Sequence, residues 1–130
     1  MWKSFLMAFL TVISTSALAE WTKIEKNNSE GITRYVDTTT IQRNKNKVRM
    51  VNLIDYQAKR EALDDKFLSI KVVQEYDCSA VKKRILAFNT YHGNMGTGGV
   101  LYRDTSPNEW KIVSSPGSSG LILWEAACTK

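Results

Sequence analysis

Two cysteines, Cys78 and Cys128, lie far apart in a chain whose first residues carry the marks of an export signal. Together these features limit the fold more than any other. Lys3 gives the N-terminus a positive charge, Phe5 to Ile13 is apolar apart from Thr11, and Ser14-Thr15-Ser16-Ala17-Leu18-Ala19 ends small-x-small. Charge, apolar core and small-residue ending make a secretory signal peptide, residues 1–19, with Glu20 opening the mature domain 20–130. The apolar stretch is about half of the roughly 20 residues that span a bilayer, so no integral membrane span is expected in the mature protein. No cysteine stands at the cleavage site, so the expected product has no lipid anchor and is periplasmic, secreted or at the cell surface.

In an exported chain an even cysteine count reads most simply as a disulfide, here Cys78 with Cys128. Zinc needs three or four ligands, and two cysteines with the single His92 do not supply them. No metal and no other cofactor is expected. Closing a loop of about 50 residues is worth about 4 kcal/mol in the chain-entropy model. The full chain has 130 residues, 43% hydrophobic and 24% charged, which excludes a disordered or collagen-like polymer and suits one domain. Its formal charge of +5 falls by one when the leader and Lys3 are removed.

The mature chain alternates with a period of two. Trp21 to Ile24 and Ile32 to Val36 read as short strands around the turn cluster Asn27-Asn28-Ser29-Glu30-Gly31. Asp37 and the threonines after it hydrogen-bond readily to nearby backbone, which predicts a helical turn over Thr39 to Gln42. Lys47 to Tyr56 is a longer strand, with Val48, Met50, Ile54 and Tyr56 on one face and Lys47, Arg49, Val51 and Leu53 on the other. Gln57 to Lys66, highly charged and without a β-branched residue, reads equally as an exposed connection or a short helix.

Phe67 to Asp77 and Val81 to His92 form a strand pair around the tight Asp77-Cys78-Ser79-Ala80 segment, with Val81, Ile85 and Ala87 facing one way and Leu86 and Phe88 the other. Asn94 to Gly99 is a loop whose glycines favour positive φ. Glu109 to Val113 is a last strand centred on Trp110. After Pro116-Gly117, Ser118 or Ser119 caps a helix that buries Leu121, Trp124 and Cys128 and turns Glu125 outward. The architecture is α+β: a single antiparallel sheet packed by a C-terminal helix that the disulfide ties to it.

The order Tyr35-Val36-Asp37 with Ile41, Asp55-Tyr56, Glu75-Tyr76-Asp77-Cys78, Tyr91 with Met95-Gly96-Thr97-Gly98, Trp110, and Pro116-Gly117-Ser118 before Cys128 resembles the surface-adhesin protein E family of Gram-negative bacteria. The resemblance covers nearly the whole mature chain. It implies about six strands and an adhesin-like binding role toward host extracellular-matrix or plasma proteins.

Catalysis finds little support in the sequence. His92 is the only histidine, no serine lies in a G-x-S-x-G elbow, and no catalytic residue is assigned. The Gly93 to Gly99 loop lacks the Gly-Lys-Ser/Thr ending of a phosphate loop and is not followed by a helix. Adjacent Asp64-Asp65 are not the separated carboxylate pair of a glycosidase. The Asn27-Asn28-Ser29 sequon is expected to be silent in a bacterium, and Trp21, Trp110 and Trp124 read as core residues.

The basic residues give the better lead. Arg43, Lys45, Lys47 and Arg49 recur every second position, and if the chain is extended there all four share one side. Lys82, Lys83 and Arg84 follow the second long turn. An acidic glycan, a host protein segment or lipopolysaccharide phosphates would suit such a stripe. A solvated edge, where lysines discourage aggregation, explains the same pattern without a ligand. Nucleic acid is excluded as a partner by the expected export, and a homodimer is admitted but not required. The expectation is an exported, non-enzymatic adhesin-like protein; the alternative is a periplasmic accessory or inhibitor protein acting on another exported protein.

Overall fold

The computed structural model describes residues 19–62, 65–113 and 115–129; apart from Ala19, the expected leader lies outside them. Six antiparallel strands follow in chain order across the sheet: β1 (Thr22–Asn27), β2 (Ile32–Asn44), β3 (Lys47–Ala62), β4 (Asp65–Asp77), β5 (Lys82–Tyr91) and β6 (Val100–Asp104). A two-residue strand, β7 (Lys111–Ile112), pairs with the start of β5. Helix α1 (Ser119–Cys128) closes the chain.

The core lies between the sheet and α1. Val36, Val48, Met50 and Tyr76 meet Leu123 and Ala127 of the helix, all of them buried. Ser118 is the N-cap, its Oγ accepting from the Leu121 amide at 3.2 Å, which satisfies one orphan donor of the first turn. The helix's buried stripe is Gly120, Leu123 and Ala127. Leu121, Trp124 and Cys128, expected there, form its half-buried flank, one residue around the cylinder. The expected spacing was right but its origin was not, because tiny Gly120 and Ala127 let the helix backbone approach the sheet. Glu125 is exposed as expected. Cys78 and Cys128 are joined, with Cα atoms 5.6 Å apart, and Trp124 Nε1 donates to the Asp77 carbonyl at 2.9 Å beside them.

Three expectations change where strands bulge. Thr39 to Gln42 is no helical turn; β2 runs straight through it. The anticipated hydrogen bonds do form, from the Thr39 amide and hydroxyl to Asp37 Oδ1 and from Thr40 Oγ1 to the Asp37 carbonyl. Thr40 Oγ1 also accepts from the Val51 amide at 2.9 Å, so the extra residues are absorbed as a bulge between the pairs Asp37↔Val51 and Gln42↔Arg49. Gln57 to Ala62 is neither loop nor helix but the end of β3, and Asp65-Lys66 opens β4, with Glu61 opposite Lys66 at 3.6 Å and Arg60 4.9 Å from the Tyr56 ring. Gln57 to Glu61 and Lys66 are all exposed, so this part of the strand pair carries no apolar alternation to read. In β5 a bulge at Leu86 puts Ile85 opposite Gln74 and Ala87 opposite Val73, so Ile85 and Ala87 do not share a face.

Two smaller differences follow. The strand expected at Glu109 to Val113 shrinks to β7, and β6 arises after the glycine loop, where no strand was anticipated. Val100 and Tyr102 stay exposed on this sheet edge, which weakened the alternation.

Candidate functional site

Helix α1 covers one face of the sheet. On the opposite face the loop after β5 shields one end. Asn94 Nδ2 and the Met95 amide donate to Asp55 Oδ1 at 3.0 and 2.8 Å, and the Gly96 amide donates to Ser69 Oγ at 2.8 Å. The loop therefore does more than turn the chain. Gly96, Gly98 and Gly99 have the expected positive φ, and at Gly96 an added Cβ would run into the Lys71 side chain. Leu53 beneath this region is fully buried.

The other end of that face is open, and pairing register sets its residues. One row across β2 to β5 is Gln42, Arg49, Glu75, Arg84; the next is Asn44, Lys47, Asp77, Lys82. Glu75 is only 6% exposed. Arg84 binds its Oε1 through Nε at 2.8 Å and Nη2 at 2.7 Å, and Arg49 approaches Oε2 through Nε at 3.5 Å. One carboxylate thus orients two guanidiniums. The Trp110 ring lies 4.8 Å from the Arg84 guanidinium and 5.8 Å from Lys47 Nζ, stacking on both cations. Arg49 keeps 57% of its side chain in solvent. A cleft of about 280 Å³ runs beside it, lined by Gln42, Arg43, Asn44, Lys47, Arg49 and Glu75. Beyond it lie Val51 and Val73.

The seven basic residues expected to form a patch are divided by the fold. Lys47, Arg49, Lys82 and Arg84 share the open face. Arg43 and Lys83 do not: they pair with Val48 and Tyr76, both core residues under the helix, and Arg43 only borders the open-face cleft. Arg43 donates to the Cys128 carbonyl at 3.2 Å, and Lys83 Nζ lies against Gly120. Lys45 occupies the β2–β3 turn with φ of 58°. The every-second-residue stripe required an extended chain; the hairpin turn breaks it in two.

Glu75 and Trp110 were missed by sequence reasoning. Once Asp77 and Lys82 flank a tight turn, stepping back two residues on each strand pairs Glu75 with Arg84, so the signal was present in the hairpin. Trp110 belongs to this cluster rather than to the core, and Trp21 stands 5.9 Å from Lys71 Nζ. Asp77 is committed to the turn: bonds from the Ser79 hydroxyl above all, then from the Ala80 and Ser79 amides, hold its carboxyl below the ordinary value. Among the described residues no three His, Cys, Asp or Glu side chains are grouped to hold a metal ion. The open site offers cations and an indole, with Val51 and Val73 beyond them.

The family model for surface-adhesin protein E matches residues 21–129. The chain belongs to the surface-adhesin protein E family. The protein E fold is also what solved structures show. A second crystal form of Haemophilus influenzae protein E superposes with a TM-score of 0.68 at 11% identity, covering 88% of this chain and 91% of that one. Another Haemophilus influenzae protein E structure gives 0.61 at 14% identity, covering 88% of each chain. A third, from a non-typeable strain, gives 0.58 at 12% identity, covering 88% of this chain and 76% of the other. No curated protein sequence matches the chain. The six strands, the helix and the disulfide agree with what the protein E resemblance implied.

Proposed function

We propose that this protein is an exported, non-enzymatic adhesin-like protein that contacts an acidic macromolecule, either a host matrix or plasma protein or an acidic glycan, through the open face of its sheet. Membership of the surface-adhesin family carries the reading. The site's chemistry supports it: Arg49 is oriented by Glu75 yet largely exposed, beside Lys47 and an indole. Such an arrangement binds sulfates or carboxylates at little ordering cost, because the guanidinium is already held. The disulfide fits an oxidising compartment.

Retention of the protein on immobilised heparin, laminin and vitronectin at physiological salt tests the reading. At least one surface should hold it, and Lys47→Gln with Arg49→Gln should lower the salt needed for elution. Failure of all three surfaces to retain it overturns the proposal. Cell fractionation adds a second check: protein found only in the periplasm, closed to surface labelling, removes the adhesin role and favours an accessory protein.

A further inference from the structure

A second cavity, of about 130 Å³, lies where β7 joins β5, lined by Gln74, Lys83, Arg84, Ile85, Asn108, Glu109 and Lys111. Gln74, Lys83 and Ile85 belong to the helix side of the sheet by register, so this cavity is not the open-face cleft. Lys83 and Lys111 stand directly opposite one another across the β5–β7 pair. Like charges so placed repel. Neither has an ion-pair partner among the described residues. Half burial and the nearby charges of Arg34 and Lys111 hold the Lys83 ammonium below its ordinary pKa.

Gln74 is 5% exposed and its Oε1 accepts from Tyr76 OH and from Asn52 Nδ2. Its Nε2 hydrogens are given no acceptor by any described residue. Arg84 is already engaged by Glu75. Lys83 and Lys111 have only Glu109 as a carboxylate among the lining residues, and Glu75 is shared by Arg84 and Arg49, so the cavity is net positive.

We propose that this cavity is a carboxylate-binding site in which one oxygen accepts from Gln74 Nε2 and the other lies between the Lys83 and Lys111 ammonium groups. The two oxygens of a carboxylate match one amide donor and one facing pair of ammonium groups, and the net positive lining favours an anion. The volume accommodates a carboxylate on a short stem and excludes a nucleotide or a sugar chain, which need several hundred Å³. The carboxylate comes either from a free small acid or from an acidic side chain of a peptide.

Amide NMR of the purified protein, titrated at constant ionic strength with acetate and separately with an Asp-containing tetrapeptide, tests this. Either probe should shift the Gln74 side-chain amide, and Lys83→Gln or Lys111→Gln should weaken the response about tenfold. Arg49→Gln on the opposite face should leave it unchanged. A response to acetate alone identifies a free-acid site, and a response to the peptide, with or without acetate, a protein-segment site. The proposal is overturned if neither probe moves the Gln74 amide, or if the shift survives both lysine substitutions.

Discussion

Glu75 and Lys83 show how one-residue parity decides the fate of a charge. Glu75 points to the open face, where Arg49 and Arg84 surround it. Replacing it by Gln removes the anion and leaves two guanidiniums facing each other. The desolvation of Glu75 and the partial exposure of both arginines set the cost at about 1–3 kcal/mol, below that of breaking a fully buried pair. A lower urea midpoint at pH 7 is the expected result. Lys83 points the other way, toward helix α1 and opposite Lys111. Its folded-state pKa lies below the unfolded value, so the unfolded chain binds its proton more tightly. Its contribution is therefore unfavourable at neutral pH and is relieved as pH rises through the folded value toward the unfolded one. Lys83→Met should raise stability by about 0.2–1 kcal/mol, and differential scanning calorimetry at pH 7 and pH 10 should show the gain shrinking at the higher pH.

At the scale of elements, the helix rests on three attachments: the Ser118 cap, the Leu123 and Ala127 contacts, and the Cys78–Cys128 bond. Ser118→Ala should cost about 1 kcal/mol by leaving the Leu121 amide without its acceptor. Converting both cysteines to serine should cost up to about 4 kcal/mol, since the bond closes a loop of 50 residues. Thermal unfolding with and without reductant compares the intact and opened forms directly. A drop of only a degree or two would mean that packing alone holds the helix. The β2 bulge is a further lever: Thr40 Oγ1 joins it to the Val51 amide, so Thr40→Val should loosen the β2–β3 pairing and speed amide exchange at Val51.

Across the whole molecule, the sheet is covered on its two faces at different places, by α1 on one and by the 93–99 loop on the other. That leaves the open half-face with Lys47, Arg49 and Trp110 and, separately, the cavity beside β7. The sheet's last edge carries exposed Val100 and Tyr102, and Ile112 of β7 is 70% exposed. Edges of this kind are kept from indiscriminate pairing by short strands and nearby charge, here five residues in β6 with Arg103 and Asp104.

Period-two alternation in Lys47 to Tyr56 and the breaks at Gly31, Cys78 and Pro116 were enough to determine an antiparallel sheet ending in a helix, because burial on one face writes itself directly into residue order. The two cysteines likewise determined the staple, since the sequence holds no other candidate pair. Face assignment was legible only between bulges. The extra residues in β2 and Leu86 in β5 change parity without changing composition, which is why Ile85 and Ala87 were wrongly placed together. The pairing of Arg60 to Ala62 with Asp65 to Phe67 left no trace because it is made by backbone groups common to every sequence. The basic stripe shows the same limit: seven cations were visible in the chain, but only tertiary pairing sent Lys47, Arg49, Lys82 and Arg84 to one face and Arg43 and Lys83 to the other. Partners brought together across strands depend on register, and register is fixed by the turns and bulges of the folded chain rather than by the spacing of charges along it.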